Sequence, residues 1–328
     1  MKPFDYQRPS SVEDAVQLLA DTPGSRPLGG GTNLVDLMRV NIEQPEQLID
    51  VTALGLTNIT HLDDRVRVEA GVRNSDLAND ALLRERLPLV SAALVSGASA
   101  QLRNMATVGG NLMQRSRCSY FYDPHAACNK RQLGSGCDAR AGFHRLGAVL
   151  GTSDACLSAH PSDLCVALAA ADATVQVRSR DGEREIALTD FHRLPGDRPD
   201  IETALEPGEL ITSIEIPYLP SGFRSSYRKV RDRASYAFAL VSVAAALRVE
   251  DGVVTDVRLA LGGVGTKPWR ATAAEEYLRG RPATATEFTA AADAELAAAQ
   301  PTPDLEFKVA LARRTVTATL RDLVEVSA

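Results

Sequence analysis

The sequence predicts an α+β fold, on three observations. Residues 10–20, "SSVEDAVQLLA", have the apolar spacing of a helix and are followed by short β-branched stretches such as "QLIDVTAL". Residues 236–265, "YAFALVSVAAALRVEDGVVTDVRLALGGVG", form two long apolar runs around "EDGV", which signals a hairpin. Helical stretches at 271–279, 285–299 and 304–325 come next, so the C-terminal third reads as an antiparallel sheet backed by helices.

In chain order, the serines at 10 and 11 are suited to cap a first helix that presents Val12, Ala15, Val16, Leu18 and Leu19. "SRPLGGGTNLVDLMRV" then reads as an extended segment, three glycines and a turn, and with "QLIDVTAL" as a strand it completes a small α/β unit. Residues 59–73 alternate like a hairpin around Asp63 and Asp64, and "NSDLANDALLRERLPLVSAAL" reads as helix with Asn74 or Ser75 as cap. "ATVQVRS" and "REIALTDF" return to strands, and "LPSGF" at 219–223 marks a boundary.

The 328 residues are enough for two or three domains, and a net charge of -6 without like-charge blocks argues against nucleic acid as a partner. The N-terminus has no apolar signal core and no stretch approaches a membrane span. A cytoplasmic chain is expected, or a periplasmic one if a partner carries the export signal. No carboxylate pair or Ser-His-Asp order points to hydrolysis.

Three consecutive glycines in "LGGGTN", residues 28–33, destabilise regular structure, so they need a use. Close backbone approach to a phosphate is one, a tight turn the other. The loop is neither G-x-G-x-x-G nor a P-loop. "NMATVGGNLMQ", at 104–114, repeats the recipe, and a dinucleotide could place its diphosphate on one loop and its ring or ribose on the other. In "HPSDLCVALAA", Ser162 or Asp163 is either a helix cap alone or a third contact.

"PLGGGTNLVDLM", "ATVGGNL", "AHPSDLCVALAAADATV" and "YRKVRDRASYAFALVSVAAAL", in this order and separation, resemble the FAD-binding subunit of the xanthine dehydrogenase and molybdenum hydroxylase family across nearly the whole chain. The resemblance implies a two-subdomain FAD-binding domain of the vanillyl-alcohol-oxidase/PCMH type (1–56 and 57–220), followed by an α+β domain of the CO dehydrogenase flavoprotein type (221–328). It implies that Leu28, Gly29, Gly30, Gly31, Thr32 and Asn33 hold the FAD diphosphate, with glycine at Gly30 leaving room for it. Thr107, Gly110 and Asn111 would line the flavin, Asp163 would bond an FAD polar group, and Lys229 would lie near the ring. A lysine there would favour reduced, anionic flavin.

All five cysteines fall between 118 and 165, separated by nine, eight, eighteen and eight residues. An odd number in a reducing compartment favours metal or reactivity over disulfides, and the absence of a close Cys pair argues against structural zinc. Four thiolates can hold an iron-sulfur cluster without a fixed spacing. Gly134 and Gly136 would let amides approach sulfur, Arg117, Lys130 and Arg131 would offset cluster charge, and His125 and His160 are alternative ligands. This long segment resembles the aldehyde oxidoreductase subfamily whose FAD subunit carries an extra 4Fe-4S cluster. That match implies Cys118, Cys128, Cys137 and Cys156 as ligands, and leaves Cys165 as a small buried hydrophobe in an apolar helix.

The same resemblance implies an electron-transfer subunit. Its partners would be a molybdenum-cofactor large subunit that oxidises the substrate, a 2Fe-2S small subunit and an external electron acceptor. The chain has no room for the molybdenum domain. A free-standing FAD-dependent NAD(P)H reductase and a zinc-stiffened scaffold are the alternatives.

Overall fold

The computed structural model describes residues 1–325 and arranges them around three sheets. β1 (Asp5–Gln7), β2 (Arg26–Leu28) and β3 (Gln47–Asp50) form a parallel sheet in the order β1-β3-β2. The helix Val12–Asp21 is capped by Ser11, which accepts the Asp14 N–H at 3.0 Å, and packs Ala15, Val16 and Leu19 with Ile49. β3 stops at Asp50 and does not run on through Val51–Leu54. The Asp50 carboxylate accepts the Thr52 N–H at 2.9 Å and its hydroxyl at 2.6 Å, which turns the chain into a 3-10 turn.

The second sheet is antiparallel and joins β4 (Ile59–His61), β5 (Arg65–Glu69), β6 (Thr174–Ser179), β7 (Gly182–Ala187) and β8 (Leu210–Pro217) in the order β4-β5-β8-β6-β7. The helical stretch after β5 is broken into Asn74–Asn79, Ala81–Arg86 and Pro88–Ser96. Asp80 caps the second piece by accepting from the Leu83 N–H at 2.8 Å, and Pro88 opens the third. The first cap is Arg73, so Asn74 and Ser75 lie inside the helix instead of capping it.

β9 (Arg224–Val230), β10 (Val241–Glu250), β11 (Val253–Gly262) and β12 (Trp269–Arg270) make the third sheet, antiparallel in the order β12-β11-β10-β9. The hairpin turns at Asp251 and Gly252, both with positive φ (50° and 76°), which matches the right-handed twist of the strands. Along β10, Val243, Ala245 and Leu247 face a core shared with the helices Thr272–Leu278, Ala285–Leu296 and Glu306–Glu325. Ala244 faces the other core, with the wholly buried helix Asp163–Ala170. Ala139, Val149, Leu150 and Leu157 of the cysteine segment bury in the first of these cores, and Leu150 bridges to Gly265. The segment therefore packs on the C-terminal sheet. No described helix is long and apolar enough to cross a membrane.

The same packing buries Lys308, whose Nζ donates to the carbonyls of Gly147 and Gly263, each at 2.6 Å. A neutral amine has two N–H groups, which match the two carbonyls. Burial, reinforced by the nearby Arg145 cation, pushes the Lys308 pKa down to about 7. Between about pH 7 and the ordinary lysine range the unfolded chain then binds the extra proton, so this group makes stability rise with pH. Melting wild type and Lys308→Met from pH 6.5 to 9.5 should show wild type gaining relative to the variant as pH rises. A difference that stays flat or shrinks would contradict a depressed Lys308.

Candidate functional site

Between the first two sheets lies a cleft of about 740 Å³, within the range of cofactor sites. Gly29, Gly30, Gly31, Thr32 and Asn33 line one wall, while Leu28 ends β2 and pairs with Asp50. Among the described residues the N–H groups of Gly30, Gly31, Thr32 and Asn33 donate to no backbone carbonyl. The side-chain Nδ2 of Asn33 is buried without a partner. Unmatched donors on residues that line a cleft suit an anion, and a diphosphate offers several acceptor oxygens to such a loop.

Gly30 itself serves a different contact from the one expected. A Cβ there would lie 1.9 Å from the Met105 carbonyl oxygen and 3.1 Å from the Ala106 Cα, so its missing side chain lets the two glycine loops touch backbone to backbone. Thr107 and Gly110 line the cleft from the second loop. Its amides are largely committed: Gly109 N–H to Ala70, Gly110 N–H to the Thr107 hydroxyl at 3.1 Å, Asn111 N–H to Thr107. The unpaired backbone amides are therefore those of the first loop.

Asn111, Asp163 and Lys229 sit behind the cleft wall in a polar network. Asn111 Oδ1 accepts from the Ser162 hydroxyl at 2.6 Å, and Ser162 caps the helix Asp163–Ala170 through the Cys165 N–H. Asp163 accepts from Lys229 Nζ at 2.7 Å and from the Tyr227 hydroxyl at 2.6 Å, and Lys229 also donates to the Ser96 carbonyl. The Lys229 side chain is 4% exposed and that of Asp163 9%. Both carboxylate oxygens of Asp163 are thus taken from inside the protein, and the ion pair ties β9 to the start of the buried helix. Burial, with Asp163 beside it, drives the Tyr227 pKa well above the usual phenol value, so its proton stays in place.

His160, Cys165 and His192 bring one ligand atom each within 4.8 Å of one another. His192 Nε2 donates to the Leu112 carbonyl at 2.9 Å, which leaves Nδ1 as acceptor, while His160 Nδ1 accepts the Ser162 N–H at 3.3 Å, which leaves the proton on Nε2. His160 therefore presents an N–H to the trio, a poor metal ligand, and both His160 Nε2 and His192 Nδ1 are buried without a hydrogen-bond partner among the described residues. Burial pushes the His192 pKa down to about 4 and holds His160 well below its ordinary value. His125 is in an exposed stretch and belongs to no such group.

Cys118, Cys128, Cys137 and Cys156 converge, and all five cysteines are free thiols. The Cys128 and Cys137 backbones pair as an antiparallel bridge. Burial, then the proximity of Cys156, Cys118 and Cys128, pushes the Cys137 pKa up to about 11, and Cys118 is raised by burial with Cys128 and Cys156 nearby. Cys165 is absent from this set. It lies in the other core, where burial pushes it up to about 12. Among the described residues no three of these four sulfurs form a group that could hold a single metal ion as they stand. The amides of Gly134 and Gly136 do not turn to sulfur, since both donate to Asn129 Oδ1 at 3.0 and 2.9 Å. Lys130 pairs with Glu202 at 3.1 Å, Arg131 holds backbone carbonyls of Tyr120 and Phe121, and Arg117 lies over the Phe238 ring.

Residues 2–219 match the family described as the FAD binding domain in molybdopterin dehydrogenase, and residues 225–324 match the CO dehydrogenase flavoprotein C-terminal domain. The chain belongs to this family, the FAD-binding medium subunits of molybdenum hydroxylases, and is an oxidoreductase subunit. Over 324 residues it is 48% identical to the aldehyde oxidoreductase FAD-binding subunit PaoB of Escherichia coli strain K12, with 98% of each chain covered. It is 28% identical over 279 residues to the glyceraldehyde dehydrogenase medium chain of Sulfolobus acidocaldarius, covering 85% of this chain and 82% of that one. Among solved structures, the carbon monoxide dehydrogenase from Hydrogenophaga pseudoflava that lacks the Mo-pyranopterin moiety of its cofactor superposes with a TM-score of 0.78 at 26% identity, with 100% of both chains covered.

Two substitutions check this geometry. Gly30→Ala should force the glycine loops apart, lowering both bound FAD per chain and the melting temperature. Full flavin occupancy in that variant would refute the contact. Lys229→Met strands the Asp163 carboxylate in a buried site and should cost about 3–5 kcal/mol in denaturant unfolding. Adding Asp163→Asn to Lys229→Met should recover much of that loss.

Proposed function

We propose that this chain is the FAD and 4Fe-4S electron-transfer subunit of a molybdenum-containing aldehyde oxidoreductase or xanthine dehydrogenase type complex. FAD binding follows from the family, and the observation that carries its placement is the set of free amides from Gly30 to Asn33 facing the large cleft. Those residues would hold the diphosphate, with Thr107 and Gly110 beside the rest of the cofactor. Bound FAD supplies the exchange of electrons between one-electron and two-electron partners. Leu28, Asn111, Asp163 and Lys229 act from behind the wall: they fix the strand end, the second loop and the buried helix on which the cleft rests.

For the cluster, support comes from the four thiols that influence one another and from the separation of Cys165 into another core. Cys118, Cys128, Cys137 and Cys156 are the proposed ligands. The three units are proposed to divide as 1–56 and 57–220 for FAD and 221–328 for the sheet-and-helix unit beneath the cysteine segment. A molybdenum-cofactor large subunit, a 2Fe-2S small subunit and an external acceptor are the proposed partners, in keeping with the match to the PaoB subunit along almost the whole chain. The chain would work in the cytoplasm, or in the periplasm if a partner exports it.

Iron, zinc and acid-labile sulfide per chain, with the low-temperature EPR signal of the reduced protein, test the cysteine assignment. Serine at any of the four proposed ligands should lose or alter the cluster, while Cys165→Ala should keep it and cost roughly 1 kcal/mol of stability. Loss in Cys165→Ala with retention in one of the other four would show the wrong set. The complex should oxidise aldehydes and the isolated chain should not; robust turnover by the chain alone would overturn the subunit reading.

A further inference from the structure

The cysteine segment and the FAD cleft share residues. Arg115, three positions before Cys118, donates its N–H to Asn33 Oδ1 at 2.9 Å, so the segment starts by hydrogen-bonding the loop whose amides face the cleft. The Arg115 guanidinium pairs with Glu43 and reaches Glu202 at 2.9 Å. Lys130, two positions after Cys128, binds the same Glu202 at 3.1 Å, and the Lys130 carbonyl accepts from Arg115 at 3.3 Å. Ser158, two positions after Cys156, has its hydroxyl 3.3 Å from the Cys156 sulfur. Arg115, Lys130, Ser158, Glu43 and Glu202 all line the cleft.

From this we infer that the four-cysteine centre and the FAD site are thermodynamically coupled through the Lys130–Glu202–Arg115 network, so that a metal centre held by the four cysteines pre-forms one wall of the flavin cleft. The inference rests on reading Cys118, Cys128, Cys137 and Cys156 as ligands of one metal centre, whatever the metal. The 115–158 stretch has little regular structure, only short helical turns and isolated bridges, and apart from the apolar residues it buries in the C-terminal core it depends on side-chain contacts to stay in place. Without the metal, Lys130 and Ser158 are free to leave the wall, and FAD must supply the cost of ordering them. Glu202 is a positioning residue in this scheme: one half-buried carboxylate takes a cation from each side of Cys118 and Cys128. The coupling is reciprocal, so FAD should in turn slow metal loss.

Metal content and FAD affinity, measured on the same full-chain preparations, test the coupling. FAD affinity is read by quenching of flavin fluorescence. Cys128→Ser should lose metal and weaken FAD by about tenfold or more, within the usual range for coupled sites. Glu202→Gln should keep its metal and weaken FAD comparably. Cys165→Ala, in the other core, should change neither. Wild type stripped of metal with a chelator should behave like Cys128→Ser, which covers the case in which a variant folds poorly. If stripped wild type and Cys128→Ser bind FAD as tightly as the metal-loaded chain, the coupling is overturned while the metal reading stands. If wild type purifies without any metal yet fully loaded with FAD, both are overturned.

Discussion

The backbone contact between Gly30 and the Met105–Ala106 peptide is the constraint on which the rest of the site depends. The first loop leaves a three-stranded parallel sheet and the second precedes a short helix packed on the antiparallel sheet. They meet because Gly30, and beside it Gly29, whose Cβ would lie 2.9 Å from Thr107 Oγ1, carry no side chain. Once they meet, the second loop's own amides are consumed in holding it to Ala70 and Val72, while the first loop's remain free. One close approach thereby fixes the cleft and decides which of its walls can bind an anion.

The cysteine segment extends that arrangement in the other direction. Its first residue is held by Asn33, its apolar residues sink into the core of the C-terminal sheet, and its cysteines collect in between. A thiol centre at this position lies between the flavin cleft and the C-terminal unit. Burial keeps unliganded thiols protonated there, as the raised pKa values of Cys118 and Cys137 show, so binding a metal must release protons. Lys308 offers a contrasting solution to burial: held by two carbonyls, it lowers its pKa.

Much of the frame was legible in sequence because local signals decided it. Ser11 caps where expected, and Asp251-Gly252 turns the long hairpin. The apolar pattern of residues 74–94 is continuous and predicts one helix; Asp80 and Pro88 break it through capping and a missing donor, which periodicity does not register. The first glycine stretch is legible as a loop, but the second is not: Thr107 caps a short helix, Val108–Leu112, that takes in Gly109 and Gly110, and which amides stay free depends on that capping and on neighbouring strands. The pairing of Asp163 with Lys229, sixty-six positions apart, and the meeting of Glu202 with Arg115 and Lys130 are long-range contacts without a local signature. Cys165 is the instructive exception: its place in "SDLCVALAAA" marked it as a helix residue, and it lies in a different core from the other four.

The central claim is that one continuous segment builds a flavin wall and a thiol-ligated iron centre side by side. An anomalous difference map collected at the iron edge, from crystals of the chain with FAD bound, tests it most directly. The account predicts a single iron feature enclosed by Cys118, Cys128, Cys137 and Cys156, with the FAD diphosphate on the amides of Gly30 to Asn33. Iron among His160, Cys165 and His192, no iron at all, or a diphosphate bound away from the first glycine loop would contradict it.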